Sequence, residues 1–435
     1  MCSLRGVWKF VTSHENLYDV VNMHLIALKI CGDLFVSRNQ RTGQLYVCWK
    51  SFASFIAQLI CLILLVVGGY FAQQSHGMAD ATYLHHGTSI LIRLSGVFAI
   101  VTSISNAIVG KRIWAILDCC DRFDKRMKML NAPVDHRTQK LVIVGWTLLC
   151  SVGVTGFVLG FVFAILTNYA NTLMQIVTII QIIMFVMVIV SMMCQIVIVL
   201  YMASYRFYHL RRFYEVNFLP WKPASIMLSE LANVNQFRRL SNSSLLSTVM
   251  DLYDLLREAM RLMHKAYSVQ LLSMTVSNIP SPTLALFGMY RSFVTSNYDM
   301  QNLINTMAVS SLMYLMTYFL LIFLSTSIKY ETQRLIESFH HFTNLNNVAF
   351  ENMVKISADQ INSDNIALHI GPTELNWKLA FSMLGTIISY LIILIQFDRT
   401  SVGTNSFPDV ENVAWWSSND THAHMQTQLS IVSKL

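Results

Sequence analysis

The chain has 435 residues, of which 54% are hydrophobic and 13% charged, with a formal net charge of +7. A soluble globular chain carries about 25% charged residues, so this composition excludes an ordinary soluble domain and points to a polytopic membrane protein. The positive balance does not point to nucleic acid, because no dense basic run with interleaved aromatics is present.

Residues 1–50 are mixed. The stretch 17–35 is moderately apolar but broken by Asp19, Lys29 and Asp33. It reads as an amphipathic segment at the cytoplasmic surface, with a short extra span as the competing reading. The first fifteen residues carry Arg5, Lys9 and Glu15 and lack the continuous apolar core of a removable signal peptide. Seven apolar runs follow, at residues 51–72, 88–110, 141–166, 173–201, 267–294, 303–327 and 379–397. A hydrocarbon core of about 30 Å takes roughly 20 helical residues to cross. The only charges inside the runs are Arg93 and Arg291.

Lysine and arginine set the expected orientation. The N-terminal segment holds six, the second-to-third connection eight, the fourth-to-fifth nine and the sixth-to-seventh four. The alternate connections, 73–87, 167–172 and 295–302, hold none. Positive residues favour the cytoplasmic side, which places the N-terminus inside and, after seven spans, the C-terminus outside. The expected organisation is a cytoplasmic segment 1–50, six spans with intracellular helical extensions over 51–327, a cytoplasmic connection 328–378, a last span 379–397 and an external tail 398–435. The expected fold class is all-α.

The cytoplasmic connections carry helical stripes. Leu245, Val249, Leu252, Leu256, Ala259 and Met263 recur at steps of four and three, as one apolar helical face requires. Ile328, Leu335, Phe339 and Phe342 suggest a second extension. Either a subunit-assembly domain or a core within one chain would use such helices. No cysteine lies in an expected external connection, so no external disulfide is expected. Cys119 and Cys120 are either free thiols or acylated. No internal repeat is evident, which argues against a transporter built from inverted repeats.

Catalytic and metal motifs are absent, with no Walker A loop, His-Glu-x-x-His or Gly-x-Ser-x-Gly. No enzyme activity, cofactor or metal is expected. His76, His85, His86, His422 and His424 read as solvated histidines or as metal or pH sites. Arg93 and Arg291 lie near outer span ends, where each either snorkels or donates hydrogen bonds into an outer cavity. Pro280 and Pro282 are expected to kink the fifth span. Tyr70, Tyr83, Asn168, Tyr169, Tyr290 and Tyr298 collect near the outer ends, as an interfacial belt or a ligand pocket. The candidate pocket residues are Arg93, Asn168, Tyr169, Tyr290 and Arg291. Asn419-Asp420-Thr421 is a glycosylation sequon on the expected outside, and Asn242-Ser243-Ser244 one on the expected inside.

The last run reads LAFSMLGTIISYLIILIQF. Ser382, Thr386, Ser389, Ile393 and Gln396 fall at steps of four, three, four and three, hence on one helical face. In lipid a polar stripe requires protein or water beside it, so the face is either a helix–helix seam or the lining of an aqueous path.

Ser389 to Phe397, SYLIILIQF, resembles the C-terminal signature of insect gustatory receptors, a Thr-Tyr followed by apolar residues and Gln-Phe. Tyr390, Gln396 and Phe397 match it, and Ser389 stands where Thr is usual. Gly371, Asn376, Trp377 and Gly385 extend the likeness upstream. The resemblance implies a seven-span, ligand-gated cation channel in the plasma membrane of sensory neurons, assembled as a homo- or hetero-tetramer and opened by a small-molecule tastant. It implies a gate at Gln396 and Phe397, with Ile393, Ser389, Thr386 and Ser382 along the pore and Tyr390 packing against neighbouring helices. The related odorant receptors are the closest alternative. A G-protein-coupled receptor of another lineage would need the reverse orientation, and its Asp-Arg-Tyr and Asn-Pro-x-x-Tyr motifs are missing.

The orientation is directly testable. A reporter fused to the N-terminus is expected in the cytoplasm, and a tag after Lys434 is expected to be reachable on intact cells. Any glycan-dependent gel shift should vanish with Asn419→Gln and persist with Asn242→Gln. An antibody that reaches the N-terminus without permeabilisation would overturn this orientation.

Overall fold

The computed structural model describes residues 17–30, 34–39, 44–75, 83–168, 172–218, 242–295, 301–341, 348–364, 366–371 and 373–405. Among the described residues the chain is helical apart from two short antiparallel hairpins and the connections between elements. Helix α1 spans Leu17–Ile30, and strands β1 (Val36–Arg38) and β2 (Leu45–Val47) pair with Val36 opposite Val47. Helices α2 (Trp49–Ser75), α3 (Tyr83–Met129), α4 (His136–Asn168), α5 (Thr172–Phe218), α6 (Asn242–Ser277), α7 (Pro280–Thr295) and α8 (Gln301–His341) follow. Then come α9 (Val348–Ser363), the hairpin β3 (His369–Ile370) with β4 (Thr373–Glu374), and α10 (Trp377–Asn405). Among the described residues, α2, α3, α4, α5, α8 and α10 each contain a stretch long and apolar enough to cross a membrane.

The fifth expected span is divided. Asn278 and Ile279 form a turn between α6 and α7. Pro280 has no N–H for the helical ladder and its ring clashes with the preceding turn. The expected kink is therefore a full break, and Pro280 occupies the first helical position, where its missing donor costs nothing.

Helices α3 and α5 have 47 residues each and α8 has 41. At 1.5 Å per residue, 47 residues extend about 70 Å, more than twice the hydrocarbon thickness. Their excess gathers at the end of the bundle that carries the basic connections, and the main core lies there. The stripe Leu245, Val249, Leu252, Leu256, Ala259 and Met263 is buried throughout, with α6 packed chiefly along α3. Ile328, Leu335 and Phe339 of α8 are buried in the same core; Phe342 lies outside the described residues. Away from the basic end, two small groups remain: Leu62, Ala99, Phe185 and Val188, and Phe161 with Val186. Helix α4 exposes Leu141, Leu148, Leu149, Val152, Leu159 and Phe163, the surface expected of a lipid-facing helix.

Helix α1 is amphipathic as its sequence suggests, but its apolar side meets protein. Leu17, Val20, Val21, Leu25 and Leu28 are buried in the main core, and α1 packs mostly on α4. Its 14 residues are too few to span. Burial alone pushes the His24 imidazole down to about 4, so it packs as a neutral ring. Cys119 and Cys120 are buried at 3% and 0% exposure, which favours free thiols over acylation.

The α3–α4 connection is closed by two caps. Asn131 adopts a left-handed conformation at φ 54°. Ala132 N–H donates to Met127 O and Asn131 N–H to Lys128 O, a Schellman ending. Asp135 then caps α4, accepting from Arg137 N–H at 2.9 Å and from the Thr138 hydroxyl at 2.5 Å. The hydrogen bond from Thr138 holds the Asp135 carboxyl below its ordinary value.

Charged groups join the long helices where the core meets the basic end. Arg206 of α5 is fully buried and holds Asp124 of α3 with both Nε and Nη2, while its Nη1 donates to Met202 O. Arg211 joins Glu331 of α8 and Glu215 of its own helix. Buried Gln270 donates to Asn106, tying α6 to α3. Strand β1 is fixed by Trp114, whose indole N–H donates to Val36 O at 2.9 Å, and by Arg38, which donates to the Tyr18 hydroxyl and lies over its ring.

Removing one member of a buried ion pair strands the other and costs about 3–5 kcal/mol. Arg206→Met is therefore expected to lower the thermal midpoint of the purified protein sharply. The double variant Arg206→Met/Asp124→Leu is expected to recover most of the loss, because it removes both charges. Equal midpoints for Arg206→Met and wild type, by light-scattering or fluorescence-detected unfolding, would contradict this account.

Candidate functional site

Two regions concentrate features relevant to function: a cavity among α4, α5 and α8, and the last helix. The cavity has a volume of about 60 Å³. Cys150, Gly153, Val154 and Phe157 line it from α4, Val186, Val190 and Met193 from α5, and Val309, Ser310, Met313, Tyr314 and Thr317 from α8. The wall is mostly apolar. Ser310 and Thr317 donate their hydroxyl protons to Met307 O and Met313 O of their own helix. Their oxygens retain lone pairs that can accept from an occupant.

At this size the cavity holds only about two waters at roughly 30 Å³ each. It can widen through its methionines, whose unbranched side chains rearrange readily. Gly153 faces the movable tip of Met313. A Cβ at that position would stand 2.9 Å from Met313 Cε, so the α4 backbone and the tip of Met313 set the width together. The lining holds no paired nucleophile and base, and among the described residues no group of three or more His, Cys, Asp and Glu could hold a metal ion. The site can receive an apolar molecule with one or two polar atoms.

The residues proposed from sequence for a ligand pocket are not among this lining. Arg93 of α3 and Arg291 of α7 are half-buried and engaged by other groups. Tyr290 stacks with Phe287, ring centroids 6.4 Å apart. Asn168 ends α4, and Tyr169 lies outside the described residues, as do Tyr298, His76, His422, His424 and Asn419. Sequence reasoning did not pick out this lining because most of its members are ordinary apolar residues of a span, with isolated polar groups such as Ser310 and Thr317 that carry no motif. The available signal was the small Gly153 in the α4 run.

Helix α10 begins with a cap, the Asn376 side chain accepting from Leu379 N–H at 3.2 Å. Trp377 stacks with Phe319 of α8 at 6.3 Å, and Ala380, Met383 and Ile387 are buried. Ser382 is exposed, and the Thr386 hydroxyl donates to Ser382 O at 2.8 Å. That bond satisfies the Thr386 proton within the helix, so this part of the polar stripe costs little in any surroundings. From Ser389 onward the described residues belong to a second unit of the chain. In it Ser389, Tyr390, Ile393, Gln396 and Phe397 are exposed, with Phe397 at 62%, whereas Asp398 is buried. The helix continues to Asn405, so the first eight residues expected in the tail are helical.

These observations define a polytopic, predominantly helical membrane protein. The chain belongs to the 7tm chemosensory receptor family, whose model matches residues 22–401. It is a membrane chemoreceptor and not an enzyme. It is similar in fold to the insect olfactory receptor OR5 from Machilis hrabei, with a TM-score of 0.61 at 12% identity over 88% of this chain and 98% of that one. The structure of OR5 in complex with eugenol gives a TM-score of 0.63 at the same identity and coverage. No curated protein is similar enough in sequence to match.

Proposed function

We propose that the protein is a gustatory receptor, a ligand-gated non-selective cation channel that turns tastant binding into depolarisation of a sensory neuron. The observation that carries this reading is the Tyr390…Gln396-Phe397 ending on a last helix that leaves Tyr390, Ile393, Gln396 and Phe397 exposed in the single chain. Large apolar side chains exposed beside a polar stripe are what an oligomeric pore helix presents in the single chain. In this reading four chains, identical or of two kinds, surround a pore in the plasma membrane. Phe397 closes it by excluding water, Gln396 replaces part of an ion's hydration, Ile393, Ser389, Thr386 and Ser382 continue the wall, and Tyr390 packs against neighbouring helices. The basic end, including the N-terminus, faces the cytoplasm, and residues beyond the last helix face outward, where Asn419 is available for glycosylation. An odorant-type receptor is the second reading, favoured by the likeness to OR5.

The ligand site of this proposal is the α4–α5–α8 cavity. A small, mostly apolar molecule displaces the methionine tips, and the Ser310 and Thr317 oxygens orient it. That OR5 was solved with eugenol, a small aromatic molecule, supports this ligand class.

Two measurements test the proposal. Gly153→Ala narrows the cavity and is expected to raise the half-activating concentration of an agonist about ten-fold, equivalent to about 1.4 kcal/mol. Gly153→Ala/Met313→Ala restores the space and should largely reverse the shift. An unchanged dose–response in calcium imaging would place the ligand elsewhere.

Whole-cell current at matched surface expression tests the gate. Phe397→Ala is expected to give ligand-independent current, and Gln396→Ala to change conductance or ion preference with little change in sensitivity. Wild-type behaviour of both variants would reduce the last helix to a packing seam.

A further inference from the structure

A second cavity, of about 240 Å³, lies at the basic end between α6 and the chain that leaves α9. At roughly 30 Å³ per water molecule, it has room for a phosphate and the small ring that bears it. Arg257, Arg261 and His264 line one wall, and their steps of four and three put them on one face of α6. Ser363, Asp364 and His369 line the other. His264 and His369 meet edge to face with centroids 5.8 Å apart. The Nδ1 atom of His264 is buried there with no hydrogen-bond partner.

The wall is rich in hydrogen-bond donors for an anion. Two guanidiniums and two imidazole rings stand around one lining carboxylate, Asp364, while Asp254 and Glu258 pair with the arginines from outside the lining. Arg257 Nη2 reaches Asp364 at 2.9 Å across the cavity. Its Nη1 meets Asp254 at 3.4 Å, and Arg261 meets Glu258 at 3.1 Å. Those two carboxylates are about half exposed, and such surface pairs exchange at little cost. A guanidinium has five N–H donors in a planar fork that matches phosphate oxygens, and these pairs do not exhaust them. The two arginines would also repel a metal ion.

We propose that this cavity binds a phosphomonoester, supplied by an inositol-phospholipid headgroup or by a soluble phosphate ester. Arg257 and Arg261 clamp the phosphate, the Nδ1–H of His264 donates to it, and Arg257 releases Asp364. His264 lies three residues before the apolar run that begins at Tyr267, which in the orientation proposed above puts the cavity on the cytoplasmic side of that run. From Asp364 the chain runs through β3 and β4 into α10, and Lys329 of α8 holds Glu374 of β4 at 2.8 Å. An occupant therefore touches the segment that carries the last span. Access from the cytoplasm rests on the orientation proposed above, whereas binding by the purified receptor does not.

The test uses the full-length receptor in phosphatidylcholine nanodiscs. One arm titrates fluorescent inositol trisphosphate and reads anisotropy. The other dopes the bilayer with phosphatidylinositol bisphosphate and counts retained lipid by native mass spectrometry. Saturable binding in the first arm alone identifies a soluble ester, and in the second a lipid headgroup. Arg257→Gln/Arg261→Gln is expected to weaken binding at least about ten-fold, the scale of losing charge-assisted hydrogen bonds. Asp364→Asn should tighten it, because the competing carboxylate is gone. Lys128→Gln removes an exposed charge of α3 outside the cavity and should leave binding unchanged. Absence of saturable binding in both arms would overturn the proposal, as would a loss in Lys128→Gln equal to that of the double variant. Should the arginine variant fail to run as a single species on size exclusion, Asp364→Asn decides: tighter binding supports the site and unchanged binding rejects it.

Discussion

The thickness of the bilayer against the length of the helices governs this structure. Hydrocarbon can accommodate about 20 residues of helix, and α3 and α5 supply 47 each. The surplus emerges into water, where lipid no longer covers its apolar side. It must therefore find protein, and it does so by converging on the amphipathic first half of α6. Helix α1, the β1–β2 hairpin and α9 then close over what α3, α5, α6 and α8 leave open. The hydrophobic effect that is weak between helices in lipid acts in full on this protruding part, so the tightest core lies outside the hydrocarbon. The membrane-embedded part is looser, and the small α4–α5–α8 cavity lies there.

Polar ties make that core specific rather than merely apolar. Arg206 and Asp124 are 82 residues apart in the chain and meet with no solvent contact at the arginine. Such a pair contributes little net stability compared with apolar residues of the same shape. Any rotation of α5 against α3 would nevertheless leave two charges buried and unpaired. Gln270 with Asn106 and Arg211 with Glu331 act in the same way for α6 against α3 and α8 against α5. Register between the long helices is thus fixed by the cost of breaking these contacts.

Periodicity carried the fold and was silent on the contacts between elements. The six-residue stripe of α6 was legible because burial on one helical face imposes a 3.6-residue repeat, and every member is buried. The disruption at Pro280 was legible from its chemistry, although a kink could not be told from a break. Strands of two or three residues have no period to detect, so both hairpins were missed. Arg206 was counted among the basic residues of a connection, yet it is an interior residue; a census by chain position cannot separate a topogenic charge from a structural one. The α10 stripe was legible from spacing, and the Thr386–Ser382 hydrogen bond accounts for how it is tolerated. The cavity arises only where three helices fail to meet.

The break between α6 and α7 bears on how the chain enters the membrane. Helix α7 has 16 residues, about 24 Å at 1.5 Å each, too short to cross on its own. The translocon scans the nascent chain segment by segment, and here it meets a half-span introduced by two prolines. The next segment to emerge is α8, a competent span that packs along α7 and shares the Ser281–Ser311 hydroxyl contact at 2.8 Å. Packing on α8 therefore gives this short helix a partner in the next span, which its own length does not make dispensable.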